Sequence, residues 1–207
     1  MAHPYQRCAL TPHDGLGELL LGLQMIYAND GTASALGAAT VIGRAVAQLQ
    51  ETPLLLLNSI TDWLPSLALD PHPLCTPLRA AAPLIHWTHA GLEDAKIPAE
   101  VARAMLTTEL IGPDGLIFDA EHRIGLFYQA PGLAYRARSH AAEEVYLILA
   151  GACDWTLEDE AAPATRAGDM RIHPSYALHS SATSTLPMLS AWRWAGDISW
   201  DSYRCVG

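Results

Sequence analysis

The hydrophobic period of this chain changes near Gly112, and that change constrains the fold more than any other feature of its 207 residues. Before it, Leu16, Leu19, Leu20, Leu23, Ile26 and Tyr27 recur at three-and-four spacing, the stripe of an amphipathic helix for which Asp14 is the expected N-cap. The Ala-rich stretch Ala33 to Leu49 predicts a second helix, ended by Glu51-Thr52-Pro53. Leu55 to Leu69 predicts a third, ended before Pro71. Asp70 to Trp87, with its prolines and histidines, reads as irregular chain. Pro98 opens one more helix, carrying proline in its first turn and stopping near Gly112.

After Gly112 the apolar segments are short and separated by Gly, Pro and Asp turns. They lie near Leu116–Phe118, Arg123–Ala130, Glu144–Leu149, Asp154–Leu157, Met170–His173 and Met188–Trp194. That grammar predicts a mainly β protein. Residues 112–207 are expected to form an antiparallel barrel, and residues 1–111 an α-helical extension covering one edge or mouth of it. No internal repeat or low-complexity tract interrupts the two parts.

Charge and cysteine usage narrow the partners. A net charge of −10 with only 12 Lys and Arg disfavours nucleic acid, because phosphate binding needs clustered basic residues. The expected partner is a small molecule, and a homodimer stays open. Cys8, Cys75, Cys153 and Cys205 are too far apart for a zinc ribbon or a disulfide scaffold, so free thiols in a reducing cytoplasm are expected. No apolar run reaches membrane-span length, and Met-Ala-His-Pro-Tyr-Gln-Arg-Cys lacks the charged-then-apolar order of a signal peptide.

A metal held inside a small barrel needs imidazole and carboxylate donors on neighbouring strands, all pointing inward, and inward residues of one strand are separated by even numbers. His140, Glu144 and Tyr146 obey that parity, and the chain between Tyr146 and His179 is long enough for a return hairpin to the opposite wall. Position by position these residues resemble the two cupin motifs. Gly132, His140, Glu144 and Gly151 match G-x5-H-x-H-x3-E-x6-G, with Arg138 where the first histidine should be. Gly168, Pro174 and His179 match G-x5-P-x-G-x2-H-x3-N, with Tyr176 and Thr183 in place of its last glycine and asparagine. The resemblance implies a jelly-roll-type cupin barrel. Because the first histidine is missing, Tyr146 is the natural fourth donor. A metal beside it would draw the hydroxyl toward phenolate, which is a base.

A narrower resemblance covers Tyr135 to Ser199. Tyr135, the run Tyr-Arg-Ala-Arg-Ser-His-Ala-Ala-Glu-Glu-Val-Tyr, His179 and Trp-Arg-Trp-Ala-Gly-Asp-Ile-Ser are similar to the cupin-type dimethylsulfoniopropionate lyases, especially the DddQ branch. That resemblance implies cleavage of dimethylsulfoniopropionate to dimethyl sulfide and acrylate, with His140, Glu144, Tyr146 and His179 holding one divalent ion (Zn, Fe, Mn or Ni) and Tyr146 as base. Tyr135 and Trp194 are expected to face the sulfonium cation of a sulfonium carboxylate substrate. The rival readings are an iron-dependent dioxygenase on the same scaffold and a non-enzymatic cupin that binds a small ligand or metal. Glu143 and Arg138 read as solvated charges, Arg138 unless it enters the site to neutralise a carboxylate. His173 reads as a turn residue, with an extra polar group near the site as the alternative, and His86 and His89 read as surface histidines.

Overall fold

The structure is a computed structural model and describes residues 10–49, 71–89 and 97–206. Helix α1 spans Pro12–Asp30 and is capped by Thr11, whose side-chain oxygen accepts from the Asp14 amide at 3.1 Å while its hydroxyl donates to the Asp14 carboxylate at 2.6 Å. The cap is therefore Thr11 and not Asp14. Pro12 has no amide hydrogen to satisfy, so the helix starts one turn earlier and Asp14 sits at its positive end. Gly31, in the left-handed region at φ 75°, ends α1. Helix α2 is Ala33–Leu49, with the bounds expected of it. The helix expected over Leu55 to Leu69 lies outside the described residues.

Two expectations fail around the next helices. The stretch before Trp87 is not irregular: Cys75–Ala81 form α3, which runs into a 3₁₀ turn at Ala82–Leu84. Pro77 is tolerated in the first turn of α3, where amides have no partner in the helix. A side chain at Gly15 of α1 would come within 2.8 Å of the Pro77 carbonyl, so glycine is what lets α1 and α3 pack. The helix opened by Pro98 does not reach Gly112. Helix α4 is only Ala99–Arg103, and Met105–Gly112 is a strand. Its threonines and isoleucine suit a strand, and pairing from Met105 opposite Gln129 to Ile111 opposite Ile124 decides the matter.

The strands, in chain order, are β1 Thr88–His89, β2 Met105–Gly112, β3 Ile117–Phe118, β4 Arg123–Gln129, β5 Ala134–Ser139 and β6 Glu143–Leu157. They continue as β7 Glu160–Arg166, β8 Met170–His173, β9 His179–Ala182, β10 Met188–Ala195 and β11 Arg204–Cys205. The two strands expected within 144–157 are one, because Gly151, at φ 78°, lets the chain turn without leaving the ladder. A side chain there would strike the Pro187 carbonyl. Strand order is β1-β2-β4-β10-β6-β9-β5-β11, with β3 on β2 and β7 and β8 on β6. The first half of β6 pairs with β10 and β8, and its second half with β7 and β9. One long strand thus carries the sheet round, and the result is the mainly β, cupin-type curled sheet with N-terminal helices.

The helices cover an outer face of this sheet and not its edge or mouth. Val145, Leu147 and Leu149 of β6 and Leu189 and Ala191 of β10 are buried on odd positions; Leu147, Leu149, Leu189 and Ala191 share one core with α1, α2 and α3. The even positions, Glu144, Tyr146, Ile148, Trp192 and Trp194, face the other way, into the barrel. Glu143 is on the helix side, yet it is not merely a solvated charge: it accepts from Ser34 of α2 at 2.6 Å and from the buried Arg193 at 3.3 Å. Among the described residues no helix is long and apolar enough to cross a membrane.

Candidate metal centre

Cross-strand register sets the inner residues side by side. Glu144 of β6 lies opposite Trp194 of β10 and opposite His173 of β8, while Arg138 of β5 lies opposite His179 of β9. His140 follows β5 directly and closes the group. The structure brings the donor atoms of His140, Glu144 and His179 within 4.8 Å of one another, all three side chains buried. Nε2 of His140 and Nε2 of His179 each stand 3.3 Å from Oε2 of Glu144.

The two imidazoles are oriented alike. Nδ1 of His140 meets the Ala142 carbonyl at 3.0 Å and Nδ1 of His179 meets the Ala177 carbonyl at 2.9 Å, so each Nδ1 carries its hydrogen as donor. In the neutral ring, Nε2 is then a bare lone pair aimed at a carboxylate oxygen. Such an atom cannot donate, and Nε2 of His179 makes no hydrogen bond. Two lone pairs and a carboxylate facing one another are what a cation reconciles. Donors of a tetrahedral ion with bonds of about 2.1 Å lie about 3.4 Å apart, which agrees with the two imidazole–carboxylate spacings of 3.3 Å, and backbone carbonyls holding the second ring nitrogen are the usual support of metal-bound histidine. The residues therefore fit a divalent ion.

His173 belongs to this cluster, contrary to the turn role expected of it. It ends β8, is fully buried, stacks on His179 with ring centroids 4.1 Å apart, and puts Nδ1 3.5 Å from Glu144 Oε2. Neither ring nitrogen of His173 has a hydrogen-bond partner, so it sets an unpartnered imidazole beside the Glu144 carboxylate. The hint in the sequence was its place at an inward position of a strand, just before the motif proline. Burial works to raise the Glu144 carboxyl's pKa, but where the facing imidazole nitrogens carry hydrogen their hydrogen bonds outweigh it and hold the group well below the usual carboxylate range. Burial, with the charge of Arg138, pushes His179 down to about 4, and burial also lowers His173.

The aromatic candidates line the same interior. Trp194 donates its indole N–H to Glu144 Oε1 at 2.8 Å and stacks on His140 at 4.3 Å. Tyr146 shares the inner face of β6 with Glu144; burial and the Glu144 charge push its hydroxyl well above the usual phenol range, and Arg138 works against them. The Tyr135 hydroxyl bonds that of Tyr203, a buried aromatic that no feature of the sequence distinguished and whose ring stacks on His140 at 5.9 Å. Arg138 is not a solvated charge. It is 1% exposed, inside the barrel, with its guanidinium 3.9 Å over the ring of Tyr135. Its position two residues before His140 gives it the inward parity. His86 and His89 are exposed, as expected of them.

A family model described as dimethylsulfoniopropionate lyase matches residues 60–190. The curated dimethylsulfoniopropionate lyase DddQ of Ruegeria pomeroyi is 33% identical over 89 residues, which are 43% of this chain and 44% of that relative. The chain thus spans less than half the length of the curated relative it matches. The crystal structure of DMSP lyase DddQ from Ruegeria pomeroyi is similar with a TM-score of 0.63 and 20% identity, covering 89% of this chain and 93% of that one. A chain from the crystal structures of the DMSP lyases RdDddP and RnDddQII is similar with a TM-score of 0.56 and 24% identity, covering 92% of this chain and all of that one. At these identities the two structures show a shared fold.

Proposed function

This chain belongs to the dimethylsulfoniopropionate lyase family, and from that membership we propose that it cleaves dimethylsulfoniopropionate to dimethyl sulfide and acrylate by metal-dependent β-elimination. The observation that carries the reading is the inner face of β6, which sets Tyr146 two residues beyond a Glu144 already ringed by three imidazoles.

His140, Glu144 and His179 would hold the ion, with Tyr146 as fourth donor and His173 beside them; zinc, iron, manganese and nickel all suit such a set. When bound, the ion supplies Lewis acidity for negative charge on the carboxylate side of the substrate and favours the phenolate form of Tyr146. The rest is the work of the chain. The Tyr146 oxygen takes the proton α to the carboxylate; that C–H pair becomes the new double bond as the C–S bond breaks, and its electrons leave with the neutral thioether. Arg138 keeps positive charge near Tyr146 and so favours the deprotonated base. The sulfonium end has no hydrogen to donate and needs an aromatic wall. Of the two candidates Trp194 is the better placed, since Tyr135 already has a guanidinium on one face. The free thiols Cys75, Cys153 and Cys205 support a reducing, cytoplasmic location for this activity.

The test is headspace dimethyl sulfide from metal-loaded protein given dimethylsulfoniopropionate, in wild type and in Tyr146→Phe. Wild type should release the gas, and the variant, which keeps the ring and its packing, should lose the roughly 10²–10⁴-fold typical of a positioned general base. With a slowly eliminating analogue in heavy water, wild type should wash deuterium into the α position and the variant should not. A metal-loaded variant that eliminates and exchanges at the wild-type rate would end the tyrosine-base reading.

A further inference from the structure

Arg138 carries a charge that the barrel does not pair. Its side chain is buried, neither Nη1 nor Nη2 has a well-formed hydrogen-bond partner, and the Tyr146 hydroxyl lies within reach of its charge. The groups around the guanidinium are the hydroxyls of Tyr146, Tyr135 and Tyr203 and the carboxylate of Glu144. Glu144 is not available to it: Oε1 accepts from the Trp194 indole, and Oε2 faces His140, His173 and His179 at 3.3 to 3.5 Å. Tyr135 offers the face of its ring, which attracts a cation but accepts no hydrogen bond in the plane of the fork. Burying a guanidinium in this way is costly, and the cost is recovered only when an anion meets it.

Local structure aims the side chain. The β5–β9 register slips between Tyr135 and Arg138, with Tyr135 opposite Ser181 and Arg138 opposite His179. Such a bulge lets two residues three apart in sequence face the same way, so Tyr135 becomes a platform beneath the guanidinium. A planar fork seated over an aromatic ring, with no carboxylate hydrogen-bonded to its terminal nitrogens, matches a carboxylate's two oxygens.

We propose that Arg138 is the receptor for the substrate's carboxylate, which makes the preferred ligand a small monocarboxylate held beside Tyr146. The identity of the reacting molecule rests on the lyase reading; the carboxylate preference rests on Arg138. This assignment also orients the substrate. Trp194 donates to Glu144 and stacks on His140, whereas Arg138 lies opposite His179 and over the ring of Tyr135. Like charges repel, so the cationic end points away from Arg138 toward Trp194, and the α carbon, next to the carboxylate, comes to rest near Tyr146. The arginine that replaces the first cupin-motif histidine thus exchanges a metal donor for an anion receptor.

Acrylate, propionate and acrylamide titrated calorimetrically into metal-loaded full-length protein test this, with metal content measured for wild type, Arg138→Gln and Arg138→Lys. Wild type should bind the two carboxylates and not the amide. Arg138→Gln should keep its metal and weaken acrylate roughly 10–100-fold, the range for losing hydrogen bonds to a charged group. Arg138→Lys, with charge but no fork, should fall between. Acrylate binding as tight in folded Arg138→Gln as in wild type would overturn the proposal, as would wild type that binds acrylamide as well as acrylate or binds neither carboxylate. If the Gln variant does not fold, the Lys variant decides, and wild-type affinity in it overturns the proposal. Carboxylate binding that depends on Arg138 without any dimethyl sulfide release would remove the lyase reading and leave this one standing.

Discussion

The two faces of β6 and β10 are built from alternating residues of the same strands and have opposite chemistry. Toward the helices stand Val145, Leu147, Leu149, Leu189 and Ala191, dry and aliphatic, in a region where burial itself stabilises the fold. Toward the barrel interior stand Glu144, Tyr146, Trp192 and Trp194, and buried polar groups collect around them: Arg138, His140, His173 and His179. Burial on that side costs free energy, because charges and imidazoles are desolvated and several have no partner in the protein. One face of the sheet therefore holds the molecule together, and the other gathers buried charges and imidazoles that a cation and an anion would relieve. The period of two in a strand keeps the roles apart.

That contrast is broken most directly at the ligands. His140→Ala or His179→Ala should lower metal content from near one ion per chain, with an affinity loss exceeding the roughly 10–100-fold usual when only an orienting partner is removed, while circular dichroism stays native. Full metal retention in both would dissolve the distinction between the faces.

Leu147→Ala tests the opposite side of the same strand. Removing this fully buried aliphatic residue from the helix-facing core should cost about 2–5 kcal/mol in denaturant unfolding and leave metal content per folded chain unchanged. A loss of metal in parallel with stability would show that the faces are coupled.

Trp194→Ala sharpens the picture within the barrel. If its indole is the wall for the sulfonium, KM should rise several-fold to about thirtyfold, which corresponds to about 0.5–2 kcal/mol for a cation–π contact at increasing desolvation. Unchanged KM and kcat would make it packing alone. The smallest effect is expected at Ser34→Ala, which removes the 2.6 Å hydrogen bond from α2 to Glu143 and should lower stability by about 1 kcal/mol without touching KM.

Much of this was legible in residue order. Three-and-four spacing marks α1, and even spacing marks Glu144 and Tyr146 as one face, because both periods are properties of the backbone alone, whereas His140 lies between β5 and β6 and reaches the centre through the fold. Flanking turn residues mark the strand Met170–His173, and alanine content with the Glu51-Thr52-Pro53 break marks the Ala33–Leu49 helix. What the tertiary structure decided is everything that depends on a partner strand. Met105–Gly112 is a strand because β4 lies beside it, although its own residues follow a helix start. His173 enters the centre because β8 pairs with β6 in a register that sets it opposite Glu144, and Arg138 becomes a buried charge over Tyr135 because β5 is bulged against β9. Local periodicity tells which way a side chain points, but not what it meets there; that is fixed by long-range pairing, whose energy is spread over many residues far apart in the chain.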